Sequence, residues 1–257
     1  MRYFSISLLA LLTIVSVSSC SNDKQEVQPY LHFEQQTIED SYGACDDKGA
    51  CGKINIDYPV FSDNNKKVDD IVNTEITKNV SSFYDAKTIE GTSQKFIKDF
   101  TDFVTEFPES ANNKWNISMH YSVSTNTKDL LSLTFAMNGY TGGAHGFSTI
   151  SYSNFNPNTG IKLKLEDIVS DVDKLRTMAR EIFIKDHNLD PNKSLNEQGY
   201  WFADDIFSLN NNFKLSKDEI VFHYNQYEIA PYSEGPIDIK IPSDKLDGML
   251  DLVLELY

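Results

Sequence analysis

A glycine-rich segment in the middle of the chain constrains the fold more than any other feature. Residues 140–160 have the sequence Y-T-G-G-A-H-G-F-S-T-I-S-Y-S-N-F-N-P-N-T-G and lie between two stretches in which apolar and polar residues alternate. Gly142, Gly143 and Gly146 can adopt backbone angles that other residues avoid. The segment therefore predicts a chain reversal between two strands. The sequence N-P-N-T-G at 156–160 predicts a second tight turn.

Apolar periodicity predicts an α+β protein. Helical spacing of apolar residues occurs in 68–84, 96–107 and 172–183, and strict alternation occurs in 54–58, 115–123, 131–137, 220–224 and 237–241. Alternation indicates antiparallel sheets with one polar face, so the helices would cover the other face. We therefore expect antiparallel sheets with helices packed on one face, in two intimately joined α/β subdomains. A short strand at 161–165 and a helix that begins at Ser243 are also expected.

The chain is expected to have four parts along its 257 residues. Composition shifts and turn signals place the boundaries between them. The parts are a lipoprotein signal peptide at 1–19, a polar tether with a cystine loop at 20–50, an N-terminal α+β subdomain at 51–150 and a C-terminal α+β subdomain at 151–257.

The N-terminus has the pattern of an export signal. Arg2 precedes an apolar stretch at 6–17, which is too short to span a bilayer. Val17-Ser18-Ser19-Cys20 resembles a bacterial lipoprotein box, although Val17 departs from the usual leucine. Cleavage before Cys20 and lipidation of its thiol would anchor the protein in the outer membrane, on the periplasmic face or at the cell surface. A plain secretory signal is the alternative.

Two cysteines remain after Cys20. In an exported protein an even pair favours a disulfide, so Cys45 and Cys51 are predicted to be bonded. A metal site is the alternative, but it needs more ligands than two cysteines and no histidine lies nearby in the sequence. We expect no metal ion and no cofactor.

The net charge of −15 limits the choice of partner. An acidic folded protein approaches phosphate groups against repulsion, so a nucleic acid is not an expected partner. The charge would attract cations or basic proteins. The alternative is that the charge serves only solubility.

The sequence contains no recognised catalytic motif, and we expect no enzymatic activity. His145 is flanked by glycines that would allow a substrate to approach, so a hydrolase with His145 as general base is an alternative. A structural histidine, bonded to a carbonyl, is the other interpretation. Asn154, Asn156 and Asn158 imitate the start of a calcium loop, but the twelfth position is Leu165 where calcium needs a glutamate.

Three ordered motifs resemble the extracytoplasmic module of RsiV-type proteins. They are Y-T-G-G-A-H-G, then N-F-N-P-N-T-G-I-K-L-K-L-E-D-I, then Y-E-I-A-P-Y-S-E-G-P-I-D-I-K-I-P at 227–242. The resemblance covers roughly residues 52–255. It implies a tandem pair of domains of unknown function, number 4163 at 51–150 and number 3298 at 151–257, in a bacterial, Bacteroidota-like lipoprotein.

The resemblance implies a non-enzymatic binding module in the cell envelope, with lysozyme or another cationic protein as partner. RsiV-type anti-sigma factors also carry a sigma-binding segment and a transmembrane helix, which are not carried over to this sequence. A peptidoglycan- or glycan-binding module is the alternative, in which Trp115, Trp201 and tyrosines would stack on sugars. The expected contact residues lie in two loops: Gly142, Gly143, His145, Gly146, Tyr227, Glu228, Pro231, Tyr232 and Glu234.

Overall fold

The structure is a computed structural model that describes residues 30–45, 49–110, 113–216 and 218–250. The expected signal peptide at 1–19 and the lipidation site Cys20 lie outside the described residues. The strands are β1 (Phe33–Gly43), β2 (Cys51–Phe61), β3 (Lys114–Asn126), β4 (Leu131–Tyr140), β5 (Phe147–Phe155), β6 (Phe213–Leu215), β7 (Glu219–Tyr224) and β8 (Ile237–Pro242), and the α-helices are α1 (Lys66–Ser82), α2 (Ile89–Glu106) and α3 (Val172–Asp186).

The N-terminal subdomain is a five-stranded sheet in the order β1-β2-β3-β4-β5, covered on one face by α1 and α2. Its core contains the inward-facing residues of both layers, including Ile54, Ile56, Val72 and Phe96. The α+β class is confirmed. One strand pair, β2 with β3, is parallel, whereas the other pairs are antiparallel. The two helices between β2 and β3 supply the long crossover that a parallel pair requires.

The C-terminal subdomain packs α3 against a three-stranded antiparallel sheet in the order β6-β7-β8. Its core joins Leu175 and Phe183 of α3 to Phe222 and Ile239 of the sheet. Part of the long segment between α3 and β6 contributes buried aromatic residues to the same core: Tyr200, Phe202 and Phe207. The two joined subdomains agree with the expected fold.

The expected polar tether at 20–50 is wrong for residues 33–43, which form β1 at the edge of the sheet. β1 has few apolar residues, so alternation does not reveal it, and the strand forms because β2 offers a complete ladder. Phe33 also packs on Phe61 of β2. The predicted Cys45–Cys51 disulfide is confirmed and closes the end of this hairpin. Its loop is short, so chain entropy accounts for about 2 kcal/mol.

Two other expected elements are shorter than predicted. The strand at 161–165 is reduced to a single bridge between Phe155 and Lys162, followed by a 3-10 turn at Leu165–Asp167. The helix expected from Ser243 is a 3-10 turn at Ser243–Lys245, and the rest of that prediction beyond 250 lies outside the described residues. Each helix in the described ranges is too short or too polar to span a bilayer.

Side-chain amides join the two subdomains along the free edge of β5. Asn212 accepts a hydrogen bond from the amide of Tyr152 (2.8 Å) and donates one to the carbonyl of Ile150 (2.9 Å). Asn225 accepts from the amide of Ile150 (2.8 Å) and donates to its carbonyl (3.0 Å). These amides thus satisfy the β5 edge where a further strand would otherwise bind.

Asn154 completes this joint from inside the protein. Its side chain is buried, accepts a hydrogen bond from the Ser132 hydroxyl (2.8 Å) and donates one to the carbonyl of Phe213 on β6 (2.8 Å). A buried polar group that loses its partner pays its full desolvation cost. Asn154 therefore ties β4, β5 and β6 together at a single point.

Replacing Asn154 by Ala should lower the free energy of unfolding by about 1–3 kcal/mol, because Ser132 and the Phe213 carbonyl would stay buried without a partner. Urea denaturation measures the change. The matched control is Asn192→Ala, since Asn192 is exposed and its described hydrogen bonds go only to Asp190 in the same loop. An equal loss of stability in both variants would contradict the assigned role.

Candidate functional site

The predicted reversal at the glycine-rich segment is confirmed as the turn between β4 and β5. Gly142 and Gly143 have φ angles of 89° and 104°, in the left-handed region that favours glycine. The Tyr140 hydroxyl donates a hydrogen bond to the Gly143 carbonyl (2.9 Å) and closes the turn. A Cβ atom on Gly146 would lie 2.9 Å from the carbonyl oxygen of Gly139, so a larger residue would not fit there.

The second expected loop connects β7 and β8 and is fixed by Glu228. One carboxylate oxygen accepts a hydrogen bond from the Asn225 amide (2.8 Å), and the other accepts from Nδ2 of Asn210 (2.8 Å). Pro231 then precedes a 3-10 turn at Tyr232–Glu234. The loop is therefore held by hydrogen bonds at its start and by a short helical turn near its end.

The structure brings the two loops into contact through their aromatic rings. The ring of His145 stacks on that of Tyr232, with centroids 4.3 Å apart and an angle of 24° between the planes. The ring of Tyr227 also lies against that of Tyr232, with centroids 5.5 Å apart and an angle of 37° between the planes. We call the 142–147 turn and the 227–235 loop together the loop surface. On this surface His145 and Tyr227 are exposed, and Tyr232 is partly buried.

The hydrogen bonds from the side chains of Asn212 and Asn225 to the backbone of β5 explain why the two loops meet. Asn225 begins the β7–β8 loop, and its side chain binds both backbone groups of Ile150 on β5. Because β5 begins directly after the glycine turn, this contact fixes the distance between the two loops. Asn210 and Asn212 support the same arrangement, since both donate to the carbonyl of His223 on β7.

Tyr227 has a strained backbone. Its φ angle is 66°, which is unfavourable for a bulky residue with a Cβ atom, and its side chain is 56% exposed. Such a conformation costs on the order of 1 kcal/mol or more. Burial does not explain the tyrosine at this position, which makes its exposed ring a candidate for contact with a ligand.

The surroundings of the loop surface are acidic and aromatic. Glu228 and Glu234 are exposed. Burial raises the pKa of the neighbouring Tyr200, and the charge of Glu234 raises it further. Trp201 is 48% exposed, and its backbone amide binds the carbonyl of Ile229 in the same loop (2.9 Å). The surface thus combines flat rings with negative charge.

The nine residues expected from the sequence occupy one side of the protein. Seven are exposed and two are partly buried, and the partly buried ones are Gly146 and Tyr232. Trp115, an expected sugar-stacking residue, instead packs on Phe100 and Phe103 of α2. It lies on the helix-covered side of the sheet, and this placement corrects the expectation for Trp115.

The asparagines that position the loops were not predicted from the sequence. Asn210 and Asn212 lie in the run N-N-N before β6, and Asn225 follows β7 directly. A run of asparagines is typical of any loop, so the pattern alone carries little information. The informative signal is that Asn212 and Asn225 adjoin strand ends, where their amides can reach a neighbouring backbone.

The surroundings of His145 bear on its chemistry. The side chain is exposed, and its Nδ1 atom lies 2.8 Å from the carbonyl oxygen of Gly146. Among the described residues, its ring contacts are with this carbonyl and with Tyr232, and none of the described hydrogen bonds joins it to a serine or cysteine. In the same ranges no group of three or more His, Cys, Asp or Glu side chains is arranged to hold a metal ion.

Comparison with protein families gives two matches that follow each other along the chain. Residues 45–148 match a family model described as the deacetylase PdaC, and residues 155–244 match one described as a protein of unknown function, DUF3298. The anti-sigma-V factor RsiV of Bacillus subtilis (strain 168) is 24% identical over 172 residues. That alignment covers 62% of this chain and 58% of RsiV, so the chain spans less than two thirds of its relative.

Solved structures show the same fold. A DUF3298 family member from Bacteroides fragilis NCTC 9343 has 25% identity and a TM-score of 0.65, with 88% of this chain and 96% of that chain covered. A DUF3298 family protein from Pseudomonas aeruginosa PAO1 has 19% identity and a TM-score of 0.58, with 86% and 95% covered. Together these comparisons show that the chain is similar to the RsiV-type module.

Replacing Glu228 by Ala should loosen the loop surface without unfolding the protein. Hydrogen exchange of the Asn225 amide should become about tenfold faster or more, because a hydrogen bond to a charged acceptor contributes roughly 1.5 kcal/mol or more. Hydrogen exchange followed by mass spectrometry measures this rate.

Glu234→Ala is the matched control, since it removes the same charge from the same loop without removing either hydrogen bond of Glu228. Unchanged exchange at Asn225 in Glu228→Ala would show that the carboxylate does not hold the loop.

Proposed function

We propose that this RsiV-like module acts outside the cytoplasm as a non-enzymatic binding protein. In this proposal Cys20 carries the lipid that anchors it in the outer membrane, and the loop surface binds a cationic protein. Lysozyme is the specific candidate, because the sequence resembles the RsiV-type module that it engages. The chain aligns with part of RsiV only, so regulation of a sigma factor is not included in the proposal.

The stacking of His145 on Tyr232 is the observation that supports this proposal most directly. Residues from two separate loops form one exposed aromatic surface, whereas an unused loop would have no need for a strained Tyr227. Interface centres are enriched in tyrosine and tryptophan, which contribute large contact areas with few rotatable bonds. The 142–147 turn adds a backbone that a partner can approach closely, because Gly142 and Gly143 have no side chains.

The charge of the protein supports a basic partner. A net charge of −15 creates an attractive field for a cationic protein and a repulsive field for an acidic one. Glu228 and Glu234 place part of this charge beside the aromatic rings. The field would mainly increase the association rate, whereas the rings would determine how long the complex lasts.

Calorimetric titration with lysozyme at low salt tests the proposal. Tyr232→Ala should weaken binding about tenfold or more, because Tyr232 contacts both of the other rings. Tyr30→Ala is the matched control: Tyr30 is also an exposed tyrosine, but its hydroxyl binds Asn158 beyond the opposite end of β5. Absence of lysozyme binding at low salt would remove lysozyme as the partner. Equal weakening by both variants would remove the loop surface as the binding site.

Tyr227→Asn should separate stability from binding. Asparagine tolerates the left-handed conformation better than tyrosine does, so the free energy of unfolding should stay the same or rise by about 1 kcal/mol. Affinity for the partner should fall, since the exposed ring is lost. Thermal denaturation and titration of the same variant measure both effects. A variant that is less stable and binds as tightly as the parent would contradict the assignment.

A glycan of the cell wall is the second candidate ligand. The exposed rings of Trp201 and Tyr227 favour it, because sugar faces stack on flat aromatic groups. Retention on purified peptidoglycan distinguishes the two candidates. Stacking on sugars would persist in high salt, whereas a complex steered by charge would weaken.

A further inference from the structure

Within the described ranges, no strand lies beside the outer edge of β1. β1 pairs with β2 over eleven consecutive residues without a register shift, and it is the first strand in the order of the five-stranded sheet. The opposite edge of the sheet, β5, is covered by the amides of Asn212 and Asn225. The two edges of the sheet therefore differ. Backbone groups of β5 are hydrogen-bonded to side chains, whereas no described strand pairs with the outer edge of β1.

The ladder identifies the backbone groups that face outward. In an antiparallel pair, residues that exchange hydrogen bonds alternate with residues whose amide and carbonyl point away. The Ser62 amide donates to the His32 carbonyl, and this pair continues the register of β1 with β2. Even-numbered residues of β1 thus bind β2. The odd-numbered residues, Gln35, Thr37 and Glu39 among them, point their backbone groups outward.

The Ser41 amide confirms this alternation. It donates a hydrogen bond to the carboxylate of Asp40 (2.8 Å). An amide that was already bonded to β2 could not make this hydrogen bond. The same carboxylate accepts a hydrogen bond from the Ser93 hydroxyl of α2 (3.1 Å). Asp40 therefore closes the edge at Ser41 and leaves the stretch from Phe33 to Glu39 open.

β1 is held at both ends, so its extended conformation is already formed before a second strand binds. The Cys45–Cys51 disulfide closes the hairpin at one end. At the other end, Asn126 of β3 accepts from the Leu31 amide (2.9 Å) and donates to the Leu31 carbonyl (2.8 Å). A preformed strand edge lowers the ordering cost of binding, which favours addition of an extended segment.

The charges of β1 select the partner. β1 contains Glu34, Glu39 and Asp40 and no basic residue. The carboxylate of Asp57 lies beside Thr37, whose hydroxyl donates to it (2.7 Å). A second copy of β1 would place these acids against each other, and like charges on adjacent strands are destabilising. Natural edge strands use charge in this way to prevent self-association.

We propose that the outer edge of β1 accepts an extended, lysine- or arginine-rich segment of a partner protein as a sixth strand. Main-chain hydrogen bonds from Gln35, Thr37 and Glu39 would supply the pairing. Basic side chains on one face of the incoming strand would meet Glu39 and Asp57. This surface is separate from the loop surface, so the inference does not depend on the proposed function.

Binding of a short acetylated and amidated peptide of alternating lysine and threonine, at low salt, tests the proposal. Thr37→Pro should weaken binding about tenfold or more, since proline removes an outward amide, and proline is tolerated at a strand edge. Thr37→Val is the matched control, because it also lacks the hydroxyl but keeps the amide, and it should bind like the parent. Glu39→Lys should weaken binding without touching the ladder.

A peptide of the same sequence in which every backbone amide is N-methylated, so that neither edge of the extended peptide has donors, makes the test independent of folding of the proline variant. It keeps the charge and loses the pairing groups, so the parent protein should not bind it. Equal binding of the methylated and unmethylated peptides, equal binding by Thr37→Pro and Thr37→Val, or no binding at all would overturn the proposal. Dimerisation through β1, detected by sedimentation and lost in Thr37→Pro, would also overturn it.

Tyr232→Ala separates this test from that of the loop surface. The variant should bind the peptide as the parent does, because Tyr232 lies in the loop between β7 and β8 and β1 lies at the opposite edge of the first sheet. Loss of peptide binding in Tyr232→Ala would place the peptide on the loop surface and refute the β1 edge as its site.

Discussion

Hydrogen bonds from asparagine side chains to the backbone of β5 organise this protein. A strand at the edge of a sheet exposes amide and carbonyl groups that no neighbouring strand pairs with. Here Asn212 and Asn225 supply partners for them from the second subdomain. The two hydrophobic cores are thus joined by polar contacts with fixed geometry, since each amide pairs with a donor and an acceptor at once.

The same contacts account for the position of the loop surface. Hydrophobic packing is non-directional and would allow the subdomains to slide against each other. A bidentate amide contact permits one position, because both of its hydrogen bonds must form together. Asn225 therefore fixes the β7–β8 loop relative to β5, and the ring of Tyr232 reaches that of His145. The proposed recognition by two separate loops depends on this rigidity.

The two edges of the large sheet differ in how their unpaired backbone groups are protected. At β5 the backbone groups are satisfied within the molecule, which gives an internal joint. At β1 no described strand pairs with the outward groups, and acidic side chains beside them discourage pairing with a second copy. An edge of this kind combines a general attraction, main-chain pairing, with a filter based on charge.

The sequence by itself determined the features that depend on neighbouring residues. Apolar periodicity predicted α1, α2, α3 and most strands, glycines predicted the reversal after Tyr140, and cysteine count predicted the Cys45–Cys51 bond. The resemblance of three motifs directed attention to the two loops that the structure brings together. These signals are local, since helical or strand spacing and turn chemistry are written in consecutive residues.

The tertiary structure alone decided the features that depend on distant partners. β1 forms from polar residues because β2 lies beside it, and Trp115 is partly buried because α2 packs over it. His145 and Tyr232 stack because asparagines far apart in the chain reach the edge of β5. An asparagine in a loop has the same appearance in the sequence whether its amide binds water or a neighbouring strand, and only the folded chain distinguishes the two.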